Sequence, residues 1–281
     1  MTRTQNPIQT SLSTAQNHAF DGLDLGGVCF ISDLHLSENL PSTCAQFTHF
    51  CQTIAPQFDT LIILGDLFAY WLGDDTTDQN PTALLVIDTL QALRSQGVQI
   101  GFVAGNRDFL VHQSFCERAG MVLLPDPCIV QIQQQRVLLT HGDLLCTDDA
   151  RYQRYRRLVH KPWAQKIFLS TPRSWRSRLA NRLRRQSKLR WDALNPTQRA
   201  QLSQLQDVNP ATAQCWFSEY QTGLMIHGHT HLPSTHLTHA TKRMVLPDWD
   251  CEQPAATRWG YIAWHVHGAQ PELIYALSVA L

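Results

Sequence analysis

Short apolar runs recur along the chain, and each stops at a residue able to bind a metal ion. Val28-Cys29-Phe30-Ile31 runs into Ser32-Asp33-Leu34-His35, and Leu61-Ile62-Ile63-Leu64 into Gly65-Asp66. Phe102-Val103-Ala104 precedes Gly105-Asn106-Arg107-Asp108, and Val137-Leu138-Leu139-Thr140 precedes His141-Gly142-Asp143. Leu224-Met225-Ile226 leads to His227-Gly228-His229-Thr230-His231. Runs this short, bounded by Gly and Asp, predict buried strands. Between them Phe47, Phe50, Cys51 and Ile54, then Leu84, Ile87, Leu90 and Leu93, recur at helical spacing. Gly97 stands where a C-terminal helix cap belongs. Strand and helix therefore alternate from 28 to 141, as in α/β layer architectures. After His231 the spacing shifts to short β segments, Met244-Val245-Leu246 and Tyr261–Val266. The pattern predicts two facing sheets flanked by helices rather than one open parallel sheet.

Residues 150–191 break this rhythm. They carry fourteen Lys or Arg and no Asp or Glu, in a chain that balances 23 basic against 23 acidic residues. Apolar residues keep helical spacing through the segment: Tyr152, Tyr155 and Val159, then Trp163 and Ile167, then Trp175, Leu179 and Leu183. Pro162 and Pro172 punctuate it. The reading is two or three basic amphipathic helices forming a cap over 149–212, inserted between core segments 28–148 and 213–281. Like charges without counter-charge repel one another. The cap is therefore expected to meet an anionic partner: substrate phosphate, anionic lipid headgroups or nucleic acid.

The 281 residues suffice for one large domain with such an insertion. Apolar stretches fall far short of the ~20 residues of a spanning helix. The eight cysteines include no Cys-x-x-Cys pair, which excludes zinc-ribbon and thioredoxin readings. Cys29, Cys44 and Cys51 sit where a reduced thiol acts as a small hydrophobe, pointing to a reducing cytosol. Residues 1–27 are polar and lack the apolar core of a signal peptide, so they read as a disordered tail.

Asp33 and His35 are two apart, so a strand end would put both on one face; the same holds for His229 and His231. His227, at the alternate position, reads as structural. Asp66 can bridge two ions, Asn106 offers an amide oxygen, and His141 adds an imidazole. Mixed carboxylate and imidazole donors suit Mn, Fe or Zn better than Ca or Mg. Seven donors are too many for one tetrahedral ion and suit two, which at about 3.5–4 Å apart can clamp a phosphoryl oxygen.

The order Asp-x-His, Gly-Asp, Gly-Asn-x-Asp, His, Gly-His-x-His resembles the calcineurin-like metallophosphoesterases over nearly all of 28–248. It looks most like their branch that hydrolyses the pyrophosphate of UDP-2,3-diacylglucosamine in lipid A synthesis. Gly73-Asp74-Asp75, Asp148-Asp149 and His160-Lys161-Pro162-Trp163 carry that closer likeness. The resemblance implies a four-layer αββα sandwich with an inserted helical cap and two Mn2+. It implies cleavage at the α-phosphorus, giving UMP and 2,3-diacylglucosamine 1-phosphate. It also implies a cytoplasmic enzyme, peripheral on an anionic inner-membrane face, with no nucleic-acid partner. One ion would take Asp33, His35, Asp66 and His231, the other Asp66, Asn106, His141 and His229. Catalytic roles fall on Asp66, Asn106, Arg107 and His229, and substrate contacts on Asn106, Arg107, Asp149, Ser187 and His229. Trp191, Leu194 and Pro247 stand where that branch has Asn, Lys and Gly. A soluble nucleotide or nucleic acid cleaved by another dimetal phosphodiesterase is the alternative; it accounts for the basic cap but not for its apolar stripes. Many phosphoesterases place His after Gly-Asn, whereas Arg107 cannot give up a proton at neutral pH. A leaving phosphate monoester needs positive charge more than a proton, which favours a pyrophosphate substrate.

Overall fold

The apolar runs form strands buried on both faces, and for that reason they read as unbroken hydrophobic stretches. The computed structural model describes Phe20 and residues 23–277. In chain order the elements begin β1 (Asp24–Leu25), β2 (Val28–Ile31), α1 (Pro41–Thr53), β3 (Thr60–Leu64), α2 (Pro81–Ser95), β4 (Gln99–Val103) and α3 (Gln113–Ala119). They continue with β5 (Val122–Leu124), β6 (Cys128–Ile132), β7 (Gln135–Leu139), α4 (Ala150–Val159), α5 (Pro162–Leu169) and α6 (Arg173–Asp192). The last are α7 (Pro196–Leu205), α8 (Pro210–Glu219), β8 (Leu224–His227), β9 (Ser234–Leu237), β10 (Lys242–Val245), β11 (Arg258–Trp264) and β12 (Glu272–Leu277).

One six-stranded sheet runs β12-β11-β2-β3-β4-β5 and the other β1-β6-β7-β8-β10-β9. Alternate residues split between two cores, as the period of a strand requires. Val28, Phe30, Ile62, Leu64 and Val103 point inward and meet Val137, Leu139, Leu224 and Ile226 between the sheets. Cys29, Ile31, Leu61, Ile63 and Phe102 point outward beneath α1, α2 and α3. Leu138 and Met225 lie under Ala213 and Phe217 of α8. The result is the four-layer helix–sheet–sheet–helix sandwich. Burying each such side chain contributes roughly 1.5–3 kcal/mol, so these clusters hold the layers together. β2, β3 and β4 are parallel, as are β7 and β8, so five carboxyl ends reach one rim. Among the described residues no helix is long and apolar enough to cross a membrane.

Three expectations need adjustment. The disordered tail does not extend to residue 27: Phe20 is buried between the sheets and Asp24–Leu25 pairs with Gln131–Ile132. A two-residue strand is too short to leave a periodic signal; residues 1–19 and 21–22 lie outside the described part. Leu84 is 38% exposed, and the buried stripe of α2 runs instead through Ala83, Val86, Ile87, Leu90 and Leu93. Val208 and α8 already belong to the outer core cluster, so the chain rejoins the core before residue 213.

The cap holds α4, α5, α6 and α7, and its basic residues are not all without counter-charge. Arg156 donates to Asp143 Oδ2 at 2.6 Å and to Asp126 Oδ2 at 3.1 Å. Arg173 Nε lies 3.0 Å from Asp75 Oδ2. Arg176, only 1% exposed, bonds both Asp75 oxygens and the Leu72 carbonyl. Asp75 is thus the core's hold on α6. Asp75→Asn should leave the buried Arg176 without its counter-charge and cost about 1–3 kcal/mol, less than for a wholly buried pair because Asp75 is 42% exposed. Urea titration checks this; an unchanged midpoint and slope would refute it.

Candidate metal centre

The seven expected ligands all leave the carboxyl ends of strands and meet at one rim. Asp33 and His35 follow β2, Asp66 follows β3, Asn106 follows β4, His141 follows β7, and His229 and His231 follow β8. His141 Nε2 and His229 Nδ1 lie 2.9 and 3.0 Å from Asn106 Oδ1 and 3.2 Å from each other. His35 Nε2 and His231 Nε2 are 3.3 Å apart, and His231 Nε2 is 3.3 Å from Asp33 Oδ1. Asp66 lies between the two groups, Oδ1 3.7 Å from His141 Nε2 and Oδ2 3.8 Å from His35 Nδ1.

The period-two argument for the paired ligands does not describe their backbone. β2 ends at Ile31 and β8 at His227, and Asp33, His35, Asp66, His229 and His231 all have φ between 51° and 71°. Left-handed backbone costs a non-glycine residue of order 1–3 kcal/mol and persists where the surroundings enforce it. Here turns aim consecutive donors at one point. Gly105 and Gly228 let those turns close: an added Cβ would sit 2.3 Å from Asp66 Oδ1 or 1.8 Å from Ser32 Oγ. His227 does not join the ligands; it is buried, its Nδ1 donating to Gly228 O and its Nε2 accepting from Arg243.

Other side chains aim the ligands. Asp108 accepts from the backbone N–H groups of Gly105, Asp66 and Phe68 at 2.8, 3.3 and 3.2 Å, tying the second and third ligand loops together. His141 Nδ1 donates to Leu64 O at 2.9 Å, which turns Nε2 toward the centre. Ser32 Oγ and the backbone N–H of His229 both donate to Asp33 Oδ2. Asp248 Oδ2 lies 3.4 Å from His231 Nδ1 and accepts from Arg258 at 2.8 Å. Pro247 therefore does not prevent this loop from reaching the site. Sequence alone assigns no role to Asp248 or Ser32: Asp248 meets His231 only in the fold, and Ser32, though next to Asp33 in the chain, shows its hydrogen bond only there.

Electrostatics fit a cation. Asp33 Oδ1 is buried and, among the described residues, is met only by the His231 imidazole at 3.3 Å. Burial pushes the His35 imidazole down to about 3 against the pull of Asp33, and burial with the His141 charge pushes His229 down to about 4. Both are thus in the neutral form that binds metal. His141 and His231 go the other way, to about 9 and about 10: carboxylates outweigh burial, chiefly Asp66 for one and Asp248 with Asp33 for the other. Burial, reinforced by Asp108 and Asp33, pushes Asp66 up to about 7. A bound divalent cation would take the place of those protons. Asp33, His35 and His231, and likewise Asp33, Asp66 and His141, can each offer ligand atoms within 4.8 Å of one another.

Arg107 donates its backbone N–H to Asp66 Oδ1 at 2.8 Å, while its side chain stays 53% exposed with Nε 3.9 Å from Asp66 Oδ2. Asp149 caps α4, accepting from Tyr152 N at 2.8 Å, and the Tyr152 ring stacks 6.3 Å from His229. Ser187 is exposed on α6 and makes none of these contacts. Trp191, the residue in place of Asn, lies beneath the Arg199 guanidinium at 5.6 Å.

Sandwich and rim together define a metal-dependent phosphoesterase, and residues 27–233 match the calcineurin-like phosphoesterase family. The chain belongs to that family, in the branch of the UDP-2,3-diacylglucosamine hydrolases. It is 41% identical over 220 residues to the UDP-2,3-diacylglucosamine hydrolase of Haemophilus influenzae, covering 78% of this chain and 89% of that protein. The protein of the same name from Photorhabdus laumondii is 44% identical over 207 residues, 74% of this chain and 82% of its own length. That of Neisseria meningitidis is 42% identical over 221 residues, with coverages of 78% and 88%.

Proposed function

We propose that this chain is a manganese-dependent phosphoric-anhydride hydrolase that splits UDP-2,3-diacylglucosamine at the α-phosphorus into UMP and 2,3-diacylglucosamine 1-phosphate. The observation that carries the reading is the convergence of seven donors at one rim, with the buried carboxylate of Asp33 common to the His35–His231 and the Asp66–His141 groupings. The substrate follows the names of the relatives. Two Mn2+ fit the donors, one with Asp33, His35, Asp66 and His231, the other with Asp66, Asn106, His141 and His229. When bound, such a pair supplies Lewis acidity and a water of lowered pKa at the phosphorus.

The chain's own residues position and stabilise. Asp66, facing both groups, fixes their separation. Asn106 and His229, already bonded to each other, hold one phosphoryl oxygen in register. Arg107 stands half-exposed above Asp66, where its fixed charge can meet charge growing on the pyrophosphate. Asp149, at the start of α4, and Ser187, exposed on α6, are the cap residues proposed to meet the sugar phosphate. Dialysis against a chelator should abolish turnover, and Mn2+ should restore it better than Ca2+. Restoration by Ca2+ alone would refute the ligand reading.

The cap also supports placement on an anionic inner-membrane surface at its cytoplasmic face. Arg178, Arg182 and Arg185 are exposed, beside Trp175 and Leu183 at 48% and 50% exposure. Each basic residue near such a surface is worth about 1 kcal/mol. Changing all three arginines to Gln should weaken cosedimentation with phosphatidylglycerol vesicles, and added salt should weaken the parent in the same way. Binding indifferent to both would remove the membrane assignment.

A further inference from the structure

The substrate of the proposed function has two unlike halves, and two clefts of the described structure differ in the same sense. One, of about 230 Å3, is walled by apolar Phe109, Val111, Leu123 and Leu124 on one part and by Asp126, Arg156 and His160 on another. The other, of about 300 Å3, lies past His35 and is walled largely by polar groups. Its floor continues directly from the metal centre. His35 N–H donates to Asp66 O at 2.9 Å, Leu36 N–H to Leu67 O at 2.9 Å, and Ala69 N–H to Leu36 O at 3.1 Å, so two paired segments run outward together. Glu38 and Tyr70 lie three and four residues beyond His35 and Asp66, within about 11 Å and 14 Å of chain. Helix α6 of the cap closes the top with Arg173 and Ser177.

We propose that this second cleft binds the nucleoside of the substrate, an assignment that rests on the proposed function. Tyr70, 37% exposed on the wall, is the aromatic side chain of this cleft against which a base can stack. The exposed amides of Asn39 and Gln79 each combine a carbonyl acceptor with two N–H donors, a match for the mixed edge of a pyrimidine. Glu38 supplies carboxylate acceptors for ribose hydroxyls, as acidic residues do in other nucleotide sites. Arg173 uses Nε on Asp75 and keeps further donors at the mouth, on the side where the phosphates must pass. The cap thereby takes part in holding the nucleotide as well as covering the centre.

The test compares UMP with ribose 5-phosphate as inhibitors of the Mn2+-loaded full chain acting on bis(p-nitrophenyl) phosphate. The difference between them measures what the base contributes. Tyr70 and Gln79 are exposed, so Tyr70→Ala and Gln79→Ala should fold. Tyr70→Ala should weaken UMP by about 5- to 100-fold, the range for loss of one base–aromatic stack. Gln79→Ala should also narrow the difference, and ribose 5-phosphate should be held equally by parent and variants. No UMP advantage in the parent, or an advantage kept in both variants, overturns the assignment. Turnover of UDP-2,3-diacylglucosamine by the parent separates the two levels. With turnover present, a kept advantage overturns the cleft alone; with turnover absent, the proposed function falls and the cleft assignment with it.

Discussion

Asp66→Ala is expected to lower turnover of UDP-2,3-diacylglucosamine by at least about 10³-fold while leaving the sandwich folded. Asp66 is 2% exposed and presents one oxygen to His141 and the other to His35, so its loss opens both donor groups at once. It also removes the acceptor of the Arg107 backbone N–H, which frees the loop that carries Asn106. The fold should tolerate the change because Asp66 packs at the rim, beyond the end of β3, and the apolar clusters do not depend on it. Removing a desolvated carboxylate from beside Asp33 and Asp108 offsets part of the lost packing. Metal content and thermal unfolding separate the two effects: bound Mn2+ should fall and the unfolding temperature should not. Activity within tenfold of the parent would refute a bridging role for Asp66.

Arg107→Ala is expected to reduce kcat by roughly 10²–10³-fold with little change in KM, as for loss of one positioned donor of charge stabilisation. The half-exposed guanidinium is free to contact substrate, yet its backbone is fixed by the bond to Asp66. Lysine should recover part of the rate, since it restores charge without the planar fork. A defect confined to KM would make Arg107 a ground-state binding group instead.

Much of this architecture was legible because the strands are short, wholly apolar and punctuated by the donors themselves. Val28–Ile31 and Leu61–Leu64 could hardly be anything but interior strands, and all seven donors meet where the strand order requires. The local geometry was not legible. A period-two argument presumes extended backbone, whereas Asp33, His35, His229 and His231 reach the centre from left-handed turns. Nor could composition show that Asp75, about a hundred residues upstream, neutralises Arg173 and Arg176, or that Asp248 steadies His231. Such pairings arise between distant segments and leave no trace in local spacing. Arg156 makes the same point, since its charge reads as surplus in the sequence and is held between Asp126 and Asp143 in the fold.

The proposed reaction turns on attack at the α-phosphorus of a UDP-linked lipid. Phosphorus NMR of the products formed in water enriched in heavy oxygen tests it most directly. The label should enter the phosphate of UMP, and 2,3-diacylglucosamine 1-phosphate should emerge unlabelled. Label in the lipid phosphate, or an intact substrate after incubation with Mn2+, would contradict the account.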